Sequence, residues 1–512
     1  MNGFPAIRAA LAALMILAAL PALQSDGTSP QAQPAFNARN SALGGGGTAW
    51  LTGYEANFLN PANLFLPGGG PTDLGLSGVT FYAESFLARK GLRGFAEHTE
   101  QTLRPYRPGA IPLTSDMRRQ ILRSGYTGGR NTLQAMQRSE VTLLGLRWDG
   151  REEAYSVALR ARQGLRTVTG RGWYTPSYHD GERDFTLVKQ KETLYELSAG
   201  FARELTFIDR LWPGVHRLLV GMAPKIVLGG AFADLHYEGR YTGGSETAQS
   251  PYDYAYRHRS AGEYTDLYRS YRASGDPANA IDRTLRAYSS LVPSGFGAGL
   301  DLGLTYLIPL DRPLPSEGSV YRASRKVLRI GISVTDLGVM RYNVKPLSLR
   351  LERASMEGLS ARGIASSYFT GSDGQVPEYF QRLAPSPNPL LEPDELHTEE
   401  ITTSLPTALN TGVMLRLDGL RLMGDLSLGL TDNAFTTRQL TAHLGVEVRP
   451  VPALPLRGGA QLAPGRPVHW TLGTGLETNH FELHISARFL SWPGDATPLI
   501  AGAGFGGLRL KL

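Results

Sequence analysis

The sequence contains no cysteine among its 512 residues. A disulfide framework, a thiolate metal site, an iron–sulfur cluster and a cysteine nucleophile are therefore excluded. A strong charge imbalance is also missing, because 52 Lys and Arg face 46 Asp and Glu, which gives a formal net charge of +6. Nucleic-acid-binding proteins carry a clustered basic stripe, and so small a surplus over so long a chain does not predict one. We expect no nucleic-acid partner.

Long apolar runs are missing beyond residue 24. A membrane-spanning helix needs about 20 consecutive apolar residues, so a helical membrane protein is excluded. Glycine, in contrast, is abundant, with 60 residues or about 12 % against a usual ~7 %. The chain also contains 22 tyrosines. This composition favours strands and turns over helices.

The first residues have the pattern of an export signal. Arg8 precedes an apolar stretch from Ala9 to Leu23 that is too short for a stop-transfer helix. We therefore expect residues 1–24 to be a signal peptide, with cleavage between residues 22 and 33. Export leaves two destinations for a chain of this composition: a soluble β-protein of the periplasm, or a β-barrel in the outer membrane of a Gram-negative bacterium.

Apolar and polar residues alternate at strand length along most of the chain. Near the C-terminus, Leu483 and Ile485 share one face of a predicted strand, whereas Glu482, His484 and Arg488 share the other. Counting such segments gives about fourteen strands between residues 73 and 512. A soluble sandwich shows the same alternation, so this pattern alone does not choose between the two destinations.

The lengths of the connections favour the barrel. Long connections near residues 89–138, 168–192, 238–294 and 345–401 alternate with short turns, and we predict that they are extracellular loops. Outer-membrane barrels have long loops on one side and short turns on the other, whereas loops this long are uncommon in compact soluble domains. We therefore predict an all-β fold, a transmembrane antiparallel β-barrel over residues 73–512. Outer-membrane lipid and lipopolysaccharide would surround it.

The C-terminus carries a weaker signal of the same kind. Gly507, Leu510 and Leu512 fit the glycine and alternating apolar ending by which barrels are recognised for assembly. The barrel-assembly machinery is therefore an expected partner during biogenesis.

The polar faces of the predicted strands would line the interior of the barrel, where opposite charges can pair instead of facing lipid. The residues that we expect on this interior polar wall are Asp301, Arg329, Arg421, Asp425, His443, Glu447, Glu482, His484 and Arg488.

An enzymatic or metal-binding role of this polar wall is a minor alternative. The sequence has no phosphate-binding loop, no zinc-protease motif and no serine-hydrolase elbow. His480, Glu482 and His484 share one strand face and could bind a metal, but hydrogen-bonded lumen groups are the more ordinary interpretation. His484, His443 and Asp301 could serve an outer-membrane enzyme only if their strands came together. We expect no enzyme, no cofactor and no metal.

Residues 33–72 precede the first predicted strand and differ from the rest. They contain a glycine run with Gly45 and Gly46, followed by the tripeptide Asn60, Pro61 and Ala62. Their apolar side chains need burial, and the nearest place for it is the barrel interior. Glycine permits close approach to the wall, and Pro61 fixes one backbone dihedral. We predict a hatch that fills the lumen, and that either moves to open a path or only stabilises the barrel.

The stretch from Ala42 to Leu64, with its Asn-Pro-Ala tripeptide, resembles the N-terminal segment of the FadL-like long-chain fatty-acid transporters and their relative PorV, the shuttle protein of type IX secretion. The glycine-rich segments 297–306 and 331–338 look like paired strands of that superfamily, and 221–230 resembles an uncharacterised Bacteroidota-type branch. In those families the tripeptide lies on a hatch inside a fourteen-stranded barrel. The resemblance implies passive transport of a small hydrophobic solute. The alternative is a PorV-like scaffold or shuttle for a secreted protein.

Overall fold

The computed structural model of the chain accounts for most of the predicted barrel. Residues 1–36, and with them the predicted signal peptide, lie outside the described residues, as do large parts of the predicted loops. The described residues are 37–66, 72–84, 122–123, 126, 131–150, 152–173, 181–205, 216–243, 250–266, 269, 292–311, 326–359, 394–396, 399–463, 468–489 and 500–512.

Strands dominate the described residues, and the helical elements are single turns. The helical turns are α1 (Ala38–Ser41) and the 3₁₀ turns η1 (Tyr54–Phe58), η2 (Pro61–Phe65) and η3 (Arg171–Trp173). In this part of the chain, helices of the length and apolar character needed to cross a membrane are not found. The strands are β1 (Thr72–Glu84), β2 (Thr132–Asp149), β3 (Glu153–Gly170), β4 (Gly181–Glu204), β5 (Arg217–Gly243), β6 (Ser250–Ala261), β7 (Gly295–Pro309), β8 (Lys326–Tyr342), β9 (Leu347–Leu359), β10 (Asp394–Leu396), β11 (Ile401–Ser404), β12 (Ala408–Leu417), β13 (Leu420–Gly429), β14 (Leu440–Val451), β15 (Leu454–Leu462), β16 (His469–Glu477), β17 (Phe481–Phe489) and β18 (Ile500–Lys511).

Fourteen of these strands close into an antiparallel β-barrel. Each pairs with its neighbours in chain order, except that β5 pairs directly with β7 and β8 pairs directly with β12. The first strand, β1, pairs with both β2 and β18 and so closes the ring. The predicted fold class and strand number are therefore confirmed.

Four further strands lie beside the closed ring. β6 pairs with the distal part of β5 and with β9, β9 also pairs with β10, and β11 pairs with the end of β8. The regions predicted as loops thus contain paired strands: 168–192 holds the ends of β3 and β4, and 238–294 and 345–401 hold β6, β9 and β10. A strand pairs through its backbone, so it continues where the side-chain alternation that marked it in the sequence has stopped.

The two ends of the barrel differ. At one end, here called the short-turn end, β2 connects to β3, β12 to β13 and β16 to β17 within a few residues. Strand β1 begins and strand β18 ends at this end, where the Leu512 amide donates a 2.8 Å hydrogen bond to the Thr72 carbonyl. The opposite end, here called the long-loop end, carries the long connections.

The outer surface of the barrel is apolar and its interior is polar, which is the reverse of a soluble protein. Ile226, Ile485 and Phe505 point outward and are 50 %, 53 % and 47 % exposed. Glu196 and Glu447 point inward and are fully buried. Strand β17 shows the alternation directly, since its buried residues are Glu482, His484, Ser486 and Arg488.

Candidate functional site

The segment Asn37–Leu66, here called the hatch, lies inside the barrel. Apart from Asn37 and Phe65, which are half-buried, all of its residues are buried. Its turn α1 packs against β16, β17 and β18, whereas η2 packs against β4, β5 and β7. The hatch therefore reaches from one side of the lumen to the other.

Local sequence determines the path of the hatch. Asn37 begins α1 with a capping box, because its side chain accepts a hydrogen bond from the Asn40 amide at 2.9 Å and the Asn40 side chain accepts one from the Asn37 amide at 2.8 Å. After α1 the chain reverses through Gly44 and Gly45, whose φ angles of 79° and 95° are costly for any other residue. The glycine run of the hatch thus forms a tight reversal of the chain inside the lumen.

The Asn-Pro-Ala tripeptide forms the start of η2. The Asn60 side-chain oxygen accepts a hydrogen bond from the Ala62 amide at 3.2 Å, and Pro61 occupies the first position, where its missing N–H costs nothing. The Asn60 amide group donates to the Thr48 carbonyl at 2.7 Å and to the Thr305 hydroxyl of β7 at 2.9 Å. Asn60 therefore joins the two halves of the hatch to each other and to the wall.

Glycines of the barrel wall make room for the hatch. At each of eleven positions an added Cβ atom would lie within 3.1 Å of a hatch atom, too close for a side chain. Several of these glycines are cross-strand partners, so they form a belt at one level of the wall. We call this belt the glycine girdle: Gly75, Gly145, Gly200, Gly221, Gly303, Gly331, Gly412, Gly445, Gly459, Gly473 and Gly504.

Three predicted interior residues contact the glycine run of the hatch. The Asp425 carboxylate accepts a hydrogen bond from the Thr48 amide at 2.7 Å and leaves no room for a side chain at Gly46. His443 Nδ1 lies 2.7 Å from the Gly44 carbonyl, and since a carbonyl only accepts, this nitrogen carries the proton. Arg488 lies beside Gly45 and donates to the Gln461 side chain at 2.7 Å.

Other predicted residues form ion pairs near the short-turn end. Glu447 receives Arg421 at 3.0 Å and Arg449 and Arg457 at 2.8 Å. Arg457 also contacts His484, at 3.0 Å. These groups on β13, β14, β15 and β17 form one network on the wall around the buried Glu447 and Arg457.

Glu482 extends this network towards β18 and the hatch. It pairs with Arg509 at 3.3 Å and Lys511 at 2.7 Å. Arg509 lies against Gly53 of the hatch, where Arg39 and Glu55 form an ion pair at 3.5 Å. Burial raises the pKa of the Glu55 carboxyl, and the Arg39 guanidinium offsets this only in part.

Asp301 belongs to a second network, nearer the long-loop end, which the sequence analysis did not find. Lys225 of β5 lies between Asp301 at 2.6 Å and Asp336 at 2.7 Å, and all three are buried. Arg162 of β3 donates two 2.9 Å hydrogen bonds to Asp336. The signal for Lys225 was a cation within the apolar stretch 218–233 of a predicted strand, with the same parity as the inward residues.

This second network also contacts the hatch. Arg160 pairs with Glu196 at 2.6 Å, and its guanidinium lies 4.0 Å from the centre of the Phe58 ring. A cation over a ring face at this distance is attractive. Arg329, also predicted, is buried on β8 opposite Leu307 and Met414.

The residues considered for a metal site or an enzyme site do not form a common group. His484, His443 and Asp301 lie on β17, β14 and β7, and each contacts a different partner. His480 is exposed, whereas Glu482 and His484 are buried. Within the described ranges, groups of three or more metal-ligating side chains are not found.

An apolar cluster fills the interior towards the long-loop end. Phe232 stacks on Tyr342 with ring centres 4.6 Å apart, and the Tyr342 hydroxyl donates to Glu192 at 2.6 Å. Sequence reasoning missed these residues because a bulky apolar residue near a strand end resembles any core residue. We call this the outer cluster: Leu194, Val227, Phe232, Ala261, Met340, Tyr342, Ile401, Leu405, Ala434 and Phe435.

The sequence was compared with protein families and with curated proteins. A family model described as "Family of unknown function (DUF5723)" matches residues 114–487, more than half of the chain. No curated protein is detectably similar to it.

Among solved structures, the chain is similar to the toluene transporter TodX of Pseudomonas putida, with 11 % identity, 94 % of this chain and 98 % of that chain covered, and a TM-score of 0.39. It is also similar to a FadL homologue of Pseudomonas aeruginosa, with 10 % identity, coverage of 94 % and 97 %, and a TM-score of 0.40. A third is the CymD monoaromatic hydrocarbon channel, with 13 % identity, coverage of 93 % and 95 %, and a TM-score of 0.39.

Proposed function

This chain belongs to the family of unknown function DUF5723, and we propose that it is an outer-membrane β-barrel for passive transport of a small hydrophobic solute. The hatch closes the lumen, and its displacement opens the path. The observation that carries this proposal is the inverted polarity of the barrel, together with the separate hatch inside it.

The outer face supports location in a membrane. Soluble proteins rarely expose a large contiguous apolar surface. Here large apolar side chains are exposed around the ring, which suits lipid as the surrounding solvent. Closure of the ring leaves no unpaired strand edge, as a bilayer requires. Exposed members on β4, β5, β7, β8, β14, β16, β17 and β18 are Leu197, Ile226, Phe296, Ile332, Val446, Leu472, Ile485 and Phe505.

The way in which the hatch is held supports a movable part. The hatch is attached to the wall by individual hydrogen bonds, such as that from Thr48 to Asp425 and that from Asn60 to Thr305. The glycine girdle receives hatch backbone and side chains, such as the Tyr54 ring at Gly75 and Gly145, in spaces where the wall itself has no side chain. Removal of the hatch would leave every strand pair of the barrel in place.

The interior supports a solute without net charge. The buried charges of the second network are paired with each other, for example Arg160 with Glu196 and Lys225 with Asp301. The outer cluster packs buried apolar side chains towards the long-loop end, where a solute from outside would enter. A path opened through this cluster would be lined by apolar groups, which suits a hydrophobic solute.

Location is tested by fractionation. The mature chain is expected in the outer membrane and, when unheated, to migrate faster on a gel, because a closed barrel has no free edge from which to unzip. Recovery as a soluble periplasmic protein without detergent would contradict the proposal.

Transport is tested by deleting residues 37–66 and measuring ion conductance in planar bilayers, with heat-dependent migration as the check on folding. We expect the deletion to raise conductance over the intact chain. Mass spectrometry of lipid extracted from the purified intact barrel then identifies the solute class. A folded, hatchless barrel that stays sealed would overturn the proposal.

A second candidate function is a scaffold or shuttle for a secreted protein. The observation in its favour is the sheet formed by β6, β9 and β10 beside the ring, in which the short strand β10 pairs with β9 alone among the described residues. A stoichiometric protein partner that is lost when residues 394–396 are deleted, with the barrel still folded, would favour this function over solute transport.

A further inference from the structure

The connection between β13 and β14 folds into the barrel. These residues, 430–439, are here called the inward loop. The Ala434 carbonyl lies against Gly164 of β3, which stands nearly across the ring from β13. Ala434 is 2 % exposed and Phe435 is fully buried. The inward loop therefore crosses the lumen instead of extending from its rim.

Local hydrogen bonds give the inward loop a defined shape. The Asn433 side chain accepts from the amides of Phe435 at 3.0 Å and Thr436 at 3.1 Å, and the Asn433 amide donates to the Thr436 carbonyl at 2.9 Å. Asparagine favours such turns because its side chain replaces a backbone acceptor. The Leu430 amide ties the base of the loop to the Thr407 carbonyl at 2.8 Å. A preformed turn thus presents Phe435 to the interior.

Two arginines of the opposite wall face the Phe435 ring. The Arg162 guanidinium lies 5.0 Å from the ring centre and that of Arg138 lies 6.0 Å away. Both distances fall within the range of a cation–π contact. Arg162 is itself fixed by its two hydrogen bonds to Asp336. The ring is therefore held between the walls, as part of the outer cluster.

The inward loop and the hatch obstruct the lumen at different levels. On β13, Asp425 contacts the hatch and Gly429 contacts the inward loop. On β3, Arg160 stacks on Phe58 of the hatch and Gly164 contacts the inward loop. The two contacts are four positions apart on each strand, which at about 3.4 Å per residue is roughly 14 Å along the strand. The second ion-pair network lies between them.

We infer that the inward loop is a second barrier in series with the hatch, and that Phe435 is the residue that seals it and determines what passes. This inference rests on the proposed transport function. A solute must pass two constrictions in series, so displacing the hatch alone opens the lumen only as far as the inward loop allows.

Glycine substitutions can displace each barrier without changing the barrier itself. An added Cβ at Gly164 would lie 2.6 Å from the Ala434 carbonyl oxygen, and one at Gly221 would clash with the backbone at Pro61 and Ala62. Backbone atoms cannot turn away as a side-chain end can. Gly458 is the control, because its nearest neighbour would lie 3.7 Å away.

The experiment measures KCl conductance in planar bilayers for Gly164→Val, Gly221→Val, the double variant and Gly458→Val, each checked for heat-dependent migration. We expect each single variant to raise conductance a little over the unmodified chain and the double variant to exceed the sum of the two. Phe435→Ala and Phe435→Leu, each combined with Gly221→Val, repeat the test without Gly164. Alanine should open the lumen, whereas leucine, which keeps most of the bulk, should leave it largely closed.

The outcomes separate the two proposals. If Gly221→Val alone conducts as well as the double variant, the inward loop is not a barrier, whereas transport through the lumen stands. If a folded barrel lacking the hatch and carrying Phe435→Ala remains sealed, the transport proposal fails. If leucine opens the lumen as far as alanine does, Phe435 does not seal by its bulk and its assigned role is wrong.

Discussion

The backbone amide of Thr48 in the hatch donates a 2.7 Å hydrogen bond to the carboxylate of Asp425 on β13. Both residues are almost fully buried. A hydrogen bond to a carboxylate is stronger than one between neutral groups, and a buried amide that loses it has no water to replace it. This contact is therefore a principal attachment of the hatch to the wall.

Asp425→Ala should loosen the hatch without unfolding the barrel. Removing one partner of a buried hydrogen bond costs about 1 to 3 kcal/mol, and here the cost acts on hatch docking. Amide hydrogen exchange of residues 40–50 should become faster, while heat-dependent migration is unchanged. Asp425→Asn keeps an acceptor oxygen and should change exchange little. Equal acceleration in both variants would show that the hydrogen bond is not what holds this segment.

The glycine girdle predicts different effects for two adjacent glycines of β15. An added Cβ at Gly459 would lie 2.5 Å from the Gly44 amide nitrogen, whereas the nearest atom to one at Gly458 is 3.7 Å away. Gly459→Ala should therefore expose the glycine run of the hatch to limited proteolysis, and Gly458→Ala should not. Similar cleavage of both variants would mean that the wall tolerates a side chain at the girdle.

Sequence patterns predicted the barrel because burial repeats with a period of two. The sequence alone assigns Glu482, His484 and Arg488 to one face of a strand, and Asn60 and Pro61 to a turn of the hatch. Predicting which face of a strand is polar required only the alternation of apolar and polar residues. The partners of these residues, such as Arg509 for Glu482, depend on which strands are neighbours and at what register, which alternation does not specify.

The inward loop could not be predicted for a different reason. The segment 430–439 is short and mostly polar, as expected of a surface turn. Its one aromatic residue, Phe435, is not part of an alternating apolar pattern that would predict burial. Its inward direction follows from contacts with Gly164 and Arg162, which are distant in sequence. The strand extensions beyond the predicted ends, such as β4 from Gly181, were missed because backbone pairing leaves no mark on side-chain order.

Lys225 should be essential to the second network. Removing one partner of a buried ion pair costs about 3 to 5 kcal/mol, and Lys225→Met would leave Asp301 and Asp336 facing each other. We expect a lower midpoint of urea unfolding in lipid vesicles. Adding Asp301→Asn removes one uncompensated charge and should recover part of the loss. A double variant less stable than Lys225→Met would contradict pairing of these two residues.

The outward face should respond to charge according to depth. An arginine on the lipid face of a barrel costs about 2 to 4 kcal/mol near mid-bilayer and ~0 to 1 near an interface. Ile485 lies at the middle of β17 and Val451 at the short-turn end of β14, and both are more than half exposed. Ile485→Arg should therefore destabilise the barrel in vesicle refolding titrations much more than Val451→Arg does. Because both substitutions replace an exposed β-branched residue by the same cation, intrinsic strand propensity cannot produce the difference. Equal and small losses at the two sites would show that lipid does not cover this face, and the proposed membrane location would then be wrong.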